Sequence, residues 1–141
     1  MTKAELRQKY LAKQTAFSQR DRAAKSRAIS DLFFDTADLS NIKNLHLFLP
    51  IEKFNEVDTH LLAERVWKEF PHIRTLVPRV DFETNDLLSL ELTPETKLEK
   101  NAWEIEEPPG HEVVDAEAID IVLIPGVCFD LEGHRVGYGK G

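Results

Sequence analysis

The sequence predicts an α/β protein, a three-layer arrangement in which helices flank a mostly parallel central sheet. Three features carry that prediction. Helix-like and strand-like runs alternate through the middle of the chain, the pattern of strand–helix–strand units. The segment Ile119–Gly126 (IDIVLIPG) contains a continuous β-branched apolar run closed by Pro-Gly, as expected of a strand buried on both faces. The 141 residues, 42% hydrophobic and 30% charged, suit one domain with its own core.

The elements follow in order. Thr2 with Glu5 forms a capping-box pattern that opens a first helix over residues 3 to 16, with Leu6 and Tyr10 on a weak apolar face. Ser18 with Asp21 repeats the signal, and Ile29, Leu32 and Phe33 fall at helical spacing within Arg22 to Phe34. Leu45 to Leu49 (LHLFL), stopped by Pro50, reads as a buried strand, and the loop IEKFNEV follows it. Asp58 or Thr59 caps a third helix with Leu61, Leu62, Val66 and Phe70 on one side, ended by Pro71. Thr75 to Val77 is a second strand stopped at Pro78, and Leu87 to Leu92 a third on a less buried edge. Residues 93–110 contain Pro94, Pro108, Pro109 and Gly110 and read as an ordered excursion with Trp103 as a core anchor. Asp115 caps a brief turn, and Ile121 to Ile124 is the most strongly signalled strand.

Charge and composition limit the function classes. Eighteen Lys and Arg against 25 Asp and Glu give a net charge of -7, which argues against nucleic-acid wrapping while leaving room for a local basic pocket. The single Cys128 cannot form an internal disulfide, and the five histidines lack a metal-ligand spacing. No apolar stretch approaches a membrane span and the start is charged, so the expected address is cytoplasmic, with no membrane partner.

Four of the six glycines lie between Gly133 and Gly141. In open parallel sheets ligands gather beyond the carboxyl ends of the strands, which makes this segment, following the best strand, a candidate phosphate cradle. Gly137, Gly139 and Gly141 allow positive φ and close approach to an anion, and Arg135 and Lys140 supply charge. The spacing is neither a Walker A motif nor GxGxxG; a flexible glycine-rich turn is the alternative. Lys3 and Arg7, four apart, leave the same helical face and are able to grip one polyanion, or to belong to an ordinary solvated face. Glu56 sits between a strand and a helix, where chain grammar favours a cap over a ligand contact. Cys128 and Phe129 read as packing residues. No base is paired with Cys128 and no catalytic triad order stands out.

Together these segments resemble the 5-formyltetrahydrofolate cyclo-ligase (5,10-methenyltetrahydrofolate synthetase) family. The residues that carry the resemblance are IPGVCFDLEGHRVGYGKG at 124–141. KAELR at 3–7, IEKFNEVDT at 51–59, and VPRV with WEIEEP between Val77 and Pro108 match in the same order. The resemblance implies a cyclo-ligase fold akin to the NagB/RpiA/CoA-transferase-like architecture, in one domain over residues 1–141 shortened at its C-terminal end. It implies ATP-dependent closure of 5-formyltetrahydrofolate to 5,10-methenyltetrahydrofolate by a monomer, with ADP and phosphate released. Under it, Lys3 and Arg7 hold ATP phosphates, and Arg135, Val136, Gly137, Tyr138, Gly139, Lys140 and Gly141 cradle the nucleotide. Lys140 and Arg7 stabilise charge on the transferring phosphoryl group, while Ile51, Glu56 and Tyr138 meet the folate. Arg79, Trp103 and Glu107 become pocket architecture. Mg2+ is implied with the ATP, but the Asp expected to hold it lies beyond Gly141, so no metal ligand is assigned. A non-catalytic nucleotide- or folate-binding module and a sugar-phosphate or CoA-handling α/β enzyme remain the alternatives.

Overall fold

A computed structural model describes residues 1–110 and 112–139. Helix α1 (Lys3–Thr15) opens with the predicted capping box: the Thr2 hydroxyl accepts from the Glu5 amide at 3.2 Å and the Glu5 carboxylate accepts from the Thr2 amide at 2.6 Å. None of its residues is buried, so α1 is held by polar contacts and partly covered side chains. Helix α2 (Gln19–Thr36) is capped by Ser18, whose hydroxyl accepts from the Asp21 amide at 3.0 Å.

Strand β1 (Asn44–His46) continues as extended chain, and the Leu47 amide donates to the Leu76 carbonyl at 2.7 Å. Leu45 and Leu47 are at most 1% exposed and form the middle of the core. A 3-10 turn (Glu52–Phe54) precedes α3 (His60–Glu69), whose Leu62, Ala63 and Val66 pack against β1 with Phe33 and Phe34 of α2 around them. Of the two expected caps of α3, Thr59 holds the cap position without a side-chain cap bond. Its hydroxyl instead donates to the Phe48 carbonyl, and Asp58 accepts from the His60 amide at 3.2 Å.

Strand β2 (Arg74–Val80) runs through Pro78 instead of stopping there. Its parallel pairing with β1 reaches only to Leu76, so the missing N–H of Pro78 lies beyond that ladder and does not interrupt the antiparallel pairing with β3 (Leu87–Glu91). β4 (Glu99–Lys100) and β5 (Glu106–Glu107) form a small hairpin apart from the main sheet. β6 (Val113–Val114) pairs antiparallel with β3, which is therefore an inner strand and not the predicted edge. Trp103 is 42% exposed and meets Phe82 edge-on at 5.0 Å, so it packs on the surface of the excursion and is no core anchor.

β7 (Ile121–Val122) pairs parallel with β1, giving the sheet order β6-β3-β2-β1-β7. The predicted α/β class is thus what folds, with a parallel group of β2, β1 and β7 extended by two antiparallel strands. β7 is shorter and less covered than its sequence predicts. It is the outer strand of the described sheet, and Val122 and Ile124 are 50% and 61% exposed. β8 (Cys128–Phe129) and β9 (Arg135–Val136) form a hairpin; Cys128 is half-buried, while Phe129 is exposed and not the packing residue expected. Asp130 closes its turn, accepting from the Glu132 and His134 amides at 2.9 Å, and those bonds hold its carboxyl below the usual range. Among the described residues no helix is long and apolar enough to cross a membrane.

Leu47→Ala is expected to lower unfolding stability by about 2–5 kcal/mol, because it leaves a cavity between β1 and α3. Leu131→Ala, at a fully exposed hairpin tip, leaves the midpoint unchanged. Urea denaturation of the two variants checks the contrast.

Candidate functional site

The site forms where three segments distant in sequence meet: one side of α1, the loop after β1, and the glycine segment after β9. Arg7 and Gln14 are seven residues apart on α1, close to two full turns, and share one stripe of the helix. The Arg7 Nε donates to the Gly137 carbonyl at 2.7 Å. Lys3 lies on the same stripe and is exposed.

The glycines of this segment serve different ends. Gly139 has φ +89°, and a Cβ there would stand 3.1 Å from the Arg7 Cζ. Gly137, expected to need positive φ, does not adopt it, and a Cβ there would lie 3.0 Å from the Arg135 Nη1, the far end of a flexible side chain. The same Nη1 donates to the Pro125 carbonyl at 2.5 Å, so Arg135 ties the hairpin to the end of the β7 segment. The Arg7 and Arg135 guanidinium groups thus lie against the backbone of this segment, and Val136 is half-buried. Lys140 and Gly141 lie outside the described residues.

The loop after β1 is fixed from both sides. Glu56 is 4% exposed, and its carboxylate accepts from the Ile51 amide at 2.6 Å, closing the loop on itself instead of capping α3 as chain grammar favours. Ile51 is half-buried beside it. Asn55 adopts the left-handed conformation at φ 55°, and its Nδ2 donates to the carbonyls of Gln14, Thr15 and Phe17 at 3.2, 3.4 and 2.7 Å. The Gln14 and Thr15 carbonyls end α1 and the Phe17 carbonyl lies in the turn after it, so Asn55 ties down the end of that helix from another part of the chain. Arg22 of α2 donates from Nε to the Glu56 carbonyl at 2.7 Å and pairs with Glu52 at 3.0 Å.

Tyr138 joins the two halves. Its ring stacks on Phe54 with centroids 5.2 Å apart and planes 16° from parallel, and its hydroxyl accepts from the Gln14 Nε2 at 2.9 Å. Burial pushes the Glu56 carboxyl up, against the lowering effects of the Ile51 amide, the Tyr138 hydroxyl and Arg22. Burial also raises the Tyr138 phenol, and Glu56 adds to that rise. A buried acceptor beside an aromatic pair, with cations and open backbone a few residues away, suits a ligand with a planar, N–H-bearing ring and an anionic group.

Of the expected site residues, Arg7, Arg135, Gly137, Gly139, Tyr138, Ile51 and Glu56 take part in this junction. Arg79 and Glu107 serve the excursion: Arg79 donates to the Gly110 carbonyl, and Glu107 accepts from the Val80 and Asn101 nitrogens at 3.3 and 3.1 Å. Sequence reasoning missed Gln14, Arg22, Phe54 and Asn55. Only Gln14 had a signal there, its two-turn spacing from Arg7. Asp130, Glu132 and His134 come within 4.8 Å of one another on the exposed hairpin turn, with Asp130 engaged in closing it.

The 5-formyltetrahydrofolate cyclo-ligase family model matches residues 1–141. The mouse (Mus musculus) 5-formyltetrahydrofolate cyclo-ligase is 27% identical over 146 residues, covering 99% of this chain and 68% of its own. The Haemophilus influenzae enzyme of that name is 30% identical over 101 residues, covering 70% of this chain and 52% of the relative. The chain thus spans between about half and two thirds of these relatives' length. The solved Aquifex aeolicus 5,10-methenyltetrahydrofolate synthetase superposes on all of this chain and 69% of its own with a TM-score of 0.83 at 34% identity. The Mycoplasma pneumoniae 5,10-methenyltetrahydrofolate synthetase does so with 0.75 at 25%, over 74% of that chain.

The burial of Glu56 sets a sign for pH dependence. Its carboxyl is raised above 4.5 on folding, so between 4.5 and its native pKa the folded protein holds more proton than the unfolded chain. The stability this contributes is fully present below 4.5 and is lost as pH rises through the native value. Glu56→Gln removes that loss. Its stability relative to the parent should therefore increase as pH rises from about 4 to 7, read from denaturation midpoints; a relative decrease would contradict burial as the dominant cause.

Proposed function

The chain belongs to the 5-formyltetrahydrofolate cyclo-ligase family, and from that membership we propose that its protein converts 5-formyltetrahydrofolate to 5,10-methenyltetrahydrofolate at the expense of ATP. The observation that carries this reading is the meeting of Glu56, Tyr138 and Arg7 at one junction. A buried carboxylate stands beside an aromatic pair, and a guanidinium stands on a glycine backbone.

In the proposed reaction the formyl oxygen attacks the γ-phosphorus of ATP and ADP departs. N10 of the folate then attacks the activated carbon, and loss of phosphate leaves the 5,10-methenyl ring. The substrate supplies both nucleophiles, so the protein has to position and neutralise charge, with no nucleophile of its own. Glu56 accepts from the N–H groups of the pterin edge, Ile51 lies against the ring, and Tyr138 with Phe54 walls the slot. Arg7, Lys3 and Arg135 neutralise phosphate charge over the open backbone of Gly137 and Gly139, and Lys140 is assigned the transferring group. Arg7 spends its Nε on the Gly137 carbonyl and keeps its terminal nitrogens for phosphate.

Mg2+ belongs to the nucleotide in this reading. Among the described residues the one triad able to ligate a metal, Asp130, Glu132 and His134, is exposed and built into a turn through Asp130. It does not fit the role, and no step is routed through it.

Mixing the protein with ATP, Mg2+ and 5-formyltetrahydrofolate should produce the methenyl chromophore with stoichiometric ADP. ATP and folate binding without turnover would instead favour a non-catalytic module. Glu56→Ala should raise the KM for the folate about tenfold to a hundredfold with little change in that for ATP, the usual effect of deleting a charged hydrogen-bond partner. Arg7→Ala should lower kcat/KM for ATP by a similar factor, and Lys68→Ala on α3 should change neither. Equal effects at all three positions would overturn the pocket.

A further inference from the structure

Gln14 was not among the residues the sequence singled out, yet it joins both halves of the junction. Its Nε2 lies 2.7 Å from the Phe54 carbonyl and 2.9 Å from the Tyr138 hydroxyl. A carbonyl only accepts, so the group of Gln14 that faces Phe54 has to be its NH2, and the side-chain orientation follows without ambiguity. That NH2 has two protons and no acceptor capacity. One goes to Phe54 and the other to the Tyr138 oxygen, which leaves the phenolic proton free to be donated elsewhere. Glu56, in the same loop as Phe54, is buried and accepts from the Ile51 amide at 2.6 Å.

We infer that Gln14 is a positioning residue for substrate recognition: by donating to both the Phe54 carbonyl and the Tyr138 hydroxyl, it fixes the aromatic wall of the slot beside Glu56. Tyr138 is then held at its ring face by Phe54 and at its oxygen by Gln14. The Glu56 carboxylate is fixed in the same loop by the Ile51 amide, so the acceptor and the aromatic wall are registered to each other through Phe54. An incoming N–H-bearing ring meets an acceptor already oriented, and orientation set before binding is not charged against affinity. Gln14 comes from the same helical stripe as Arg7, so one rigid helix registers both the glycine segment and the ring slot.

The inference rests on the folate reading of the slot, and its test separates the two. Binding of 5-formyltetrahydrofolate is measured by titration without ATP for the parent, Gln14→Met, Tyr138→Phe and the double variant, with thermal unfolding of each. Met keeps the length and helix preference of Gln but cannot donate. Gln14→Met is expected to weaken folate binding three- to tenfold, about the worth of one hydrogen bond, while the KM for ATP stays within about twofold. The double variant should bind no more weakly than Tyr138→Phe alone, since both changes break one chain of contacts. Gln14→Glu, which also cannot donate, provides a second readout if Met perturbs folding, with an equal or larger loss expected. Unchanged affinity in Gln14→Met or Gln14→Glu overturns the role of Gln14 alone. Fully additive losses in the double variant overturn the route through Tyr138. Absence of folate binding by the parent overturns the slot and this inference together.

Discussion

The site depends on Asn55 standing in a left-handed conformation at the corner where α1 turns into α2. Its amide donates to three carbonyls at and just after the end of α1, its oxygen accepts from Gln19, and its backbone conformation sends the chain back toward Glu56. The bonds do two things at once. They satisfy a helix end that has few apolar contacts of its own, and they fix the loop after β1 relative to that helix. Because α1 buries no residue, this polar seam substitutes for hydrophobic packing. It adds to the bonds by which Arg7 and Gln14 are themselves registered to the glycine segment and to Phe54.

The same corner accounts for the electrostatics. Glu56 is covered on nearly all sides, a costly place for a carboxylate, and it is tolerated because the Ile51 amide, the Tyr138 hydroxyl and Arg22 all favour its charged form. Burial still prevails, and the carboxyl is left raised. A net charge of -7 is distributed over the whole surface, whereas Arg7 and Arg135 are concentrated on one short glycine segment. Local geometry, and not total charge, decides that an anion is welcome there. Arg7 meets the Gly137 carbonyl beside Gly139, where a Cβ would crowd its guanidinium.

The elements were largely legible. Capping boxes, proline stops and apolar runs marked α1, α2, α3 and β1 close to where they fold, since those signals act over a few residues. Errors arose where a strand's fate depends on its neighbours. LLSLEL reads as an edge strand, but β6 arrives from 25 residues later to cover it. Pro78 reads as a stop, but the strand it would have interrupted on the β1 side has already ended. IDIVLIPG reads as the most buried strand, yet in the described sheet it lies outermost.

Sequence by itself determined the α/β class, the helix starts and where the candidate residue types stand along the chain: Arg7 on the first helix, Glu56 in a loop, glycines with Arg135 and Tyr138 behind the last predicted strand. These follow from periodicity, caps and composition, which are local. Only the tertiary structure decided that Glu56 closes its own loop in place of capping α3, that Gly137 folds without positive φ, and that Gln14 and Asn55 belong to the site at all. Gln14 and Asn55 meet their partners across about 40 to 124 residues, and no short-range pattern encodes which carbonyl a distant amide will find.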